Sequence, residues 1–436
     1  MDLYILIGFY LLLFLISFFV HNKELTNPTF IFFVMFIIMF SVAYQYKNVW
    51  WPNSFLNIKT TFVVLLGGIS FFFGSLFGEK KQFRIKKIKF KGVNFYKNRV
   101  ILSYKYIIWI GFQMILIILC IRYVMSFGGS DLTDSLGQFR NSSVAEGAKL
   151  PGILSFMISI SFVGGMFFSY LLAVVVVNKT KKDILYVLIN FLLSILISLL
   201  GGNKGGAITL VVSLICFILM VNSNLTGWKK NISIKYLFSL LLLVVFIISQ
   251  FKNLAEILGQ SQVKDINTID YLVLYIGSQI KNLDLYFSTD FSRSVIFGQE
   301  TFKSFIQLFS KIFGISEWVS YKLYVPMRYA GGMALGNVYT MYYGLFRDFG
   351  WMGIVIMSYL SGFISQIFYK SAKDSLKNNE CTISLILFGY IYYAIAFSFF
   401  SNIFYEQIIS VSMIKYIVCA FIVRFFFFGG RYERRK

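Results

Sequence analysis

Apolar stretches long enough to cross a bilayer follow one another almost from end to end of this 436-residue chain, and they leave it little choice of fold. A backbone in hydrocarbon has no water to bond, so each stretch must satisfy its own N–H and C=O groups as a helix. Taking runs of about 17–25 residues as spans, eleven are read: 3–20, 29–46, 60–78, 104–125, 152–177, 183–200, 204–222, 235–250, 350–370, 382–402 and 407–428. The count carries a range of 10–12, and the fold class expected is an all-α polytopic membrane protein. Asp2 stands where a signal peptide has basic residues and no small-residue cleavage site follows, so the first span reads as a retained helix.

Charge sets the orientation. The formal net charge is +22, yet the basic residues sit in short connections beside the spans, which marks topology and not a nucleic-acid surface. Between the third and fourth spans ten Lys and Arg residues face the single acid Glu79, so this connection is cytoplasmic. Its aromatic and basic side chains, Phe83, Phe90, Phe95 and Tyr96 among Lys and Arg, suit an anchor on anionic lipid or a docking surface for a partner. Lys179, Lys181 and Lys182, then Lys229 and Lys230, then Lys370, Lys373 and Lys377, and last Arg431, Arg434, Arg435 and Lys436 fall on the same side. The N-terminus is therefore expected outside and the C-terminus inside. The chain then divides into an eight-helix bundle over 1–250 with a basic cytoplasmic loop at 79–105, an extracytoplasmic loop over 251–349, three helices over 350–428 and a basic tail over 429–436.

The segment 251–349 carries nine basic and eight acidic residues, the near balance of a translocated loop. Its length and its many aromatic residues argue for a folded, partly helical cap. Within it Phe302, Phe305, Ile306, Phe309, Ile312 and Phe313 recur at helical spacing opposite Lys303, Gln307 and Lys311. Such a helix lies either in the interface plane, beside an entrance for a lipid-borne substrate, or in the cap's own core.

Metal chemistry through His or Cys is not expected, because Cys120, Cys216 and Cys419 fall in spans, Cys381 stands at the edge of one, none lies in an outer loop, and the single histidine, His21, reads as an ordinary loop residue. No cofactor is expected either. Cations on the outer side are more telling, since topology does not favour them there. They are Arg140, Lys204, Arg293, Arg328 and Arg347, and guanidinium forks with a lysine point charge suit a pyrophosphate. Lys204 stands in the turn Gly201-Gly202-Asn203-Lys204-Gly205-Gly206, whose glycines serve either close helix packing or an anion at a helix N-terminus. Salt-bridged or snorkelling roles are the alternative for each cation.

The stretch Gly331-Gly332-Met333-Ala334-Leu335-Gly336-Asn337-Val338-Tyr339-Thr340, followed by Tyr342-Tyr343-Gly344-Leu345-Phe346-Arg347-Asp348-Phe349-Gly350-Trp351-Met352-Gly353, resembles the end of the large loop in Wzy-type oligosaccharide repeat unit polymerases. The glycine turn also resembles that family's small-residue turn, with Asn203 and Lys204 where Ser and Arg are usual. The resemblance implies a bacterial plasma-membrane glycosyltransferase of GT-C-like architecture that needs no metal. It would join repeat units carried on undecaprenyl pyrophosphate at the outer face, in O-antigen, capsule or exopolysaccharide synthesis, alongside a flippase and a chain-length regulator.

On that reading Arg140, Lys204, Arg293, Arg328 and Arg347, with Asn337 and Tyr339, hold pyrophosphate and glycan. A carboxylate takes the acceptor's proton: Asp348, Glu406 and Asp290 come first, with Asp284 and Glu300 also in reach of the role. Asp348 adjoins Arg347, so a simple ion pair is its other reading. A flippase for the same lipid-linked oligosaccharide, or a glycan ligase, remains the alternative function.

Overall fold

The computed structural model describes residues 3–52, 54–80, 101–145, 150–179, 183–202, 204–228, 252, 253, 256, 267–289, 291–315 and 325–429. The expected span 235–250, most of the basic loop 79–105, the tail beyond 429, Asn203 and Asp290 lie outside the described residues.

The helices are α1 (Leu3–Val20), α2 (Pro28–Gln45), α3 (Lys47–Trp50), α4 (Ile58–Lys80), α5 (Ser103–Met125), α6 (Leu132–Ala145), α7 (Gly152–Val177), α8 (Ile184–Leu200), α9 (Lys204–Leu225), α10 (Thr268–Thr289), α11 (Lys303–Phe313), α12 (Tyr342–Lys377), α13 (Ile383–Ala396) and α14 (Val411–Phe428). A short hairpin, β1 (Arg328–Ala330) and β2 (Met333–Gly336), stands between α11 and α12. Among the described residues eight helices are long and apolar enough to cross a membrane, namely α1, α2, α4, α5, α7, α9, α12 and α14. α8 and α13 are shorter apolar helices that coincide with two further expected spans. The protein is thus a multi-pass membrane protein.

Two compact units emerge, each assembled from separate stretches of the chain. One comprises Met1–Ile85, Ile269–Lys370 and Ile391–Ile414; the other comprises Lys86–Thr268, Ser371–Tyr390 and Lys415–Lys436. In the second unit α5, α7, α8 and α9 pack into a bundle. Gln113 on α5 ties it from within, donating to the Asn190 carbonyl at 3.1 Å and the Ser194 hydroxyl at 2.8 Å. Lipid tails are as apolar as leucine, so buried polar ties and close packing, more than hydrophobicity, hold membrane helices together.

In the first unit α1, α2 and α4 pack around aromatic rings, with Phe32 stacked on Phe71 at 3.8 Å and the Tyr10 hydroxyl donating to the Val64 carbonyl at 2.9 Å. α4 also meets α12, because Gly74 and Gly362 let the two backbones approach where a Cβ would strike the carbonyls of Tyr359 and Phe71. At one end of these helices His21 stands in the turn after α1, as expected of a loop residue, and is buried there, 2% exposed. Its Nδ1 bonds Glu79 and its Nε2 meets the Ser75 hydroxyl at 3.3 Å.

α10 was hidden in the expected loop because of its charges, and the fold accounts for them. Asp284, 3% exposed, accepts hydrogen bonds from Trp51 Nε1 at 2.7 Å, the Asn57 backbone N–H at 2.7 Å and Lys281 at 3.5 Å. It thereby holds the N-terminal end of α4, where a helix favours negative charge. Lys281 also lies over the Trp51 ring at 4.5 Å, and burial pulls its pKa below the ordinary lysine value. Removing one partner of a buried ion pair costs about 3–5 kcal/mol. Asp284→Ala is therefore expected to lower the melting point of the detergent-purified protein by many degrees, and an unchanged melting curve would contradict this account.

Candidate active site

The site is built on a broken helix. α12 runs from Tyr342, eight residues before the expected start of its span, and its helical geometry is interrupted at Gly350 (φ 65°, ψ −145°). A break leaves the last carbonyls of the first half without intrahelical donors. The loop 291–302 supplies them: Ser294 N–H donates to the Arg347 carbonyl at 3.0 Å, and Arg293 Nη1 makes a long contact of 3.5 Å to the Phe346 carbonyl. The exposed Arg293 guanidinium stands against Gly350 and over the Phe346 ring, at the negative end of the half-helix. Among the described residues no carboxylate lies within ion-pair distance of it.

Asp348 grips the same loop. One carboxylate oxygen accepts from the Ser294 hydroxyl at 2.5 Å, and the other from the backbone N–H groups of Thr301 at 2.7 Å and Glu300 at 3.1 Å. The expected ion pair with Arg347 is not formed, because neighbours on a helix point about 100° apart. Arg347 instead donates to Glu300 at 2.6 Å and to the Tyr343 hydroxyl at 3.0 Å. The Arg347 and Glu300 side chains are 15% and 10% exposed. Burial pushes the Glu300 carboxyl up, opposed by Arg347 and Lys303 and reinforced by Asp348.

A row of aromatic and basic groups continues from Arg347. The Tyr343 ring lies against Tyr339 at 4.4 Å and Tyr286 at 4.9 Å. The Tyr339 hydroxyl accepts from Arg328 Nε at 2.9 Å and donates to the Pro326 carbonyl at 3.1 Å. Arg328 reaches this position because Gly331 and Gly332, with φ of 56° and 73°, close the hairpin in a two-residue turn that only such positive φ values permit. Asn282 anchors the chain after the hairpin through the Val338 carbonyl at 2.7 Å, and Asn337 between them is exposed.

Glu406 enters from a π-helical turn, Phe404–Ile408, a rare geometry frequent at functional sites. The residue is exposed, and among the described residues no donor bonds its carboxylate. Desolvation pushes its pKa up, with Glu300 raising it further and Lys303 lowering it. Nearby Asn402, 5% exposed, has both amide atoms without a hydrogen-bond partner among the described residues. A Cβ on Gly344 would stand 3.2 Å from Asn402 Nδ2 and 3.4 Å from Glu300 Cβ, so the three meet at one point. Thr301 Oγ1 and Gln299 Nε2 are also buried without partners among the described residues. Buried polar groups are nearly always bonded, so this cluster is a place for a further donor or acceptor, from water or ligand.

The structure therefore brings Arg293, Arg328, Tyr339, Arg347, Asp348 and Glu406 into one unit, with Asn337 on its surface. Arg140 and Lys204 belong to the other unit, half-buried and close enough for their charges to repel. Sequence reasoning gave no role to Tyr343, Lys303 or Asn402. Carrying α12 back to Tyr342 would have found Tyr343, one turn before Arg347 on the same face; nothing in the sequence marks Asn402.

These features define a polytopic helical membrane protein that gathers acids, guanidinium groups and tyrosines around one broken helix. The family model described as O-antigen polysaccharide polymerase Wzy matches residues 1–428, and the chain belongs to that family. Comparison with curated proteins gave no match, and neither did comparison with solved structures. Membership makes the chain a plasma-membrane polymerase of polysaccharide, acting by glycosyl transfer on a lipid-linked oligosaccharide.

Proposed function

We propose that the protein extends a glycan carried on undecaprenyl pyrophosphate at the outer face of the plasma membrane, with Glu406 as general base. Its carboxylate takes the proton of a hydroxyl on the incoming repeat unit. The hydroxyl oxygen bonds the anomeric carbon of the growing glycan, the bond from that carbon to the pyrophosphate oxygen breaks, and undecaprenyl pyrophosphate leaves with the electron pair. Arg293 and Lys303 meet the charge that develops on it, an electrostatic contribution that is usually large. Arg140 and Lys204 are proposed to bind an anion within their own unit, and Arg328, Tyr339 and Asn337 to bind the glycan. Asp348 acts as a clamp that positions Glu300, and Asp290 stays a secondary candidate for the base. The GT-C-like architecture, the eleven-span topology, the absence of a metal requirement and the flippase and chain-length partners belong to the same proposal.

The observation that carries the assignment of the base is the Glu406 carboxyl, held out on the π-helical turn Phe404–Ile408 and unbonded among the described residues, with Lys303 and Glu300 acting on it. A perturbed carboxyl beside a cation, here Lys303, suits proton transfer. The test is the purified protein with one lipid-linked repeat unit. A ladder of products one repeat apart is the expected result, and transbilayer movement without new glycosidic bonds would replace the polymerase with a flippase. Arg293→Ala should slow the ladder roughly 10²-fold, while a helix-end charge contributes only about 0.3–1 kcal/mol to stability. An unchanged rate would remove Arg293 from the leaving-group site.

A further inference from the structure

Beside the carboxylates the loop 291–302 and α11 form an apolar groove of about 400 Å³, lined by Ile296, Phe297, Phe302, Phe305, Ile306 and Phe309. Its inner end is continuous with the site. Phe302 packs on Phe349 at 6.1 Å and on Tyr405 at 6.0 Å, and these rings flank Asp348 and Glu406 in sequence. Phe297 also packs on Phe349, at 4.7 Å, and away from these rings the groove stays apolar and open at Phe309, 45% exposed. The cations near the inner end are Lys303, exposed and acting on both Glu300 and Glu406, and Arg293, exposed against Gly350. The first turn of α11 adds its own positive end, with no side chain capping it. Cations at the head of an apolar groove complement an amphiphile with an anionic head and a hydrocarbon tail.

We propose that this groove seats the first isoprene units of the donor's polyprenyl chain, with the pyrophosphate at Lys303 and Arg293. The inference rests on the polymerase reading above, and chemistry selects the occupant. In the donor only two phosphates separate the hydrocarbon from the breaking bond, so the tail must leave along an apolar surface that adjoins the site. In the acceptor the lipid lies a whole repeat unit from the reacting hydroxyl, so its tail has no need of this surface. α11 then turns its apolar face to the carrier and keeps Gln307 and Lys311 on the polar side.

The experiment uses the full-length protein in nanodiscs with a diazirine-bearing polyprenyl diphosphate, and maps the cross-linked peptides by mass spectrometry. Label is expected within residues 296–309. Ile306→Asp and Phe309→Asp should each reduce it at least about tenfold, because a carboxylate in an apolar groove opposes hydrocarbon. Val295→Asp, at a position 86% exposed and outside the lining, should label as the parent does. Label elsewhere, labelling indifferent to both groove substitutions, or equal loss on adding phosphatidylglycerol would overturn the assignment. The two readings fail separately. A parent protein that builds the ladder but labels outside 296–309 loses the groove and keeps the polymerase. One that labels in the groove but builds no ladder keeps a polyprenyl site and loses the polymerase.

Discussion

Glu406→Gln is expected to insert and fold normally and to slow glycosidic bond formation by roughly 10²–10⁴-fold, the usual worth of a positioned base. Glutamine keeps the shape of the side chain and removes the ability to accept a proton. The substitution should also be benign for stability, because the carboxylate has no hydrogen-bond donor among the described residues that a neutral amide would leave unpaired. The pH profile separates this role from a structural one. The base works deprotonated, and its pKa is raised by desolvation and by Glu300, so the rising limb of the rate should lie above that of a carboxylate in water. Lys303 lowers the pKa, so Lys303→Ala should move the limb to higher pH. Glu300→Gln removes a repulsive negative charge and leaves Arg347 in place, so it should move the limb to lower pH. A normal ladder from Glu406→Gln, or a limb that neither neighbour moves, would take the base elsewhere.

The spans were legible because the bilayer imposes a length. The run read as 152–177 is α7, Gly152–Val177, and 3–20 is α1, Leu3–Val20. Elements whose helicity rests on tertiary bonds were not legible. α10 carries Asp270, Lys281 and Asp284, which no window of apolar residues tolerates, and its helix makes sense only once Trp51 and Asn57 are seen around Asp284. The first half of α12 was read as loop for a similar reason. It holds Arg347 and Asp348, and its carbonyls at the break are met by the loop near Ser294, more than fifty residues earlier. The site had the same limit. Arg, Asp and Glu announced the type of chemistry, but adjacency in sequence suggested Arg347 with Asp348, whereas the helix turns them toward Glu300 and the loop. Asn402 had no signal at all, since its interest lies in bonds it does not make.

Gly350→Ala is expected to be the most damaging change outside the carboxylates. The position has φ 65° and ψ −145°, close to a region open essentially to glycine, and strain of this kind costs about 1–3 kcal/mol. A Cβ would also stand 2.5 Å from both terminal nitrogens of Arg293, so the guanidinium must shift away from Gly350. With that shift the loop that carries Glu300 and Phe302 loses the Arg293 contact to the Phe346 carbonyl and keeps the bonds of Asp348 to Ser294, Glu300 and Thr301, of Arg347 to Glu300 and of the Ser294 N–H to the Arg347 carbonyl. The expected result is a lower melting point together with a large loss of polymer. A double-mutant cycle divides the two causes. Arg293→Ala in the Gly350→Ala background relieves the collision and leaves the backbone strain, so the pair should melt above the sum of the single changes while polymer stays low. Strict additivity would mean that Arg293 and Gly350 do not meet, and a stable, active Gly350→Ala protein would mean that α12 continues unbroken through the site.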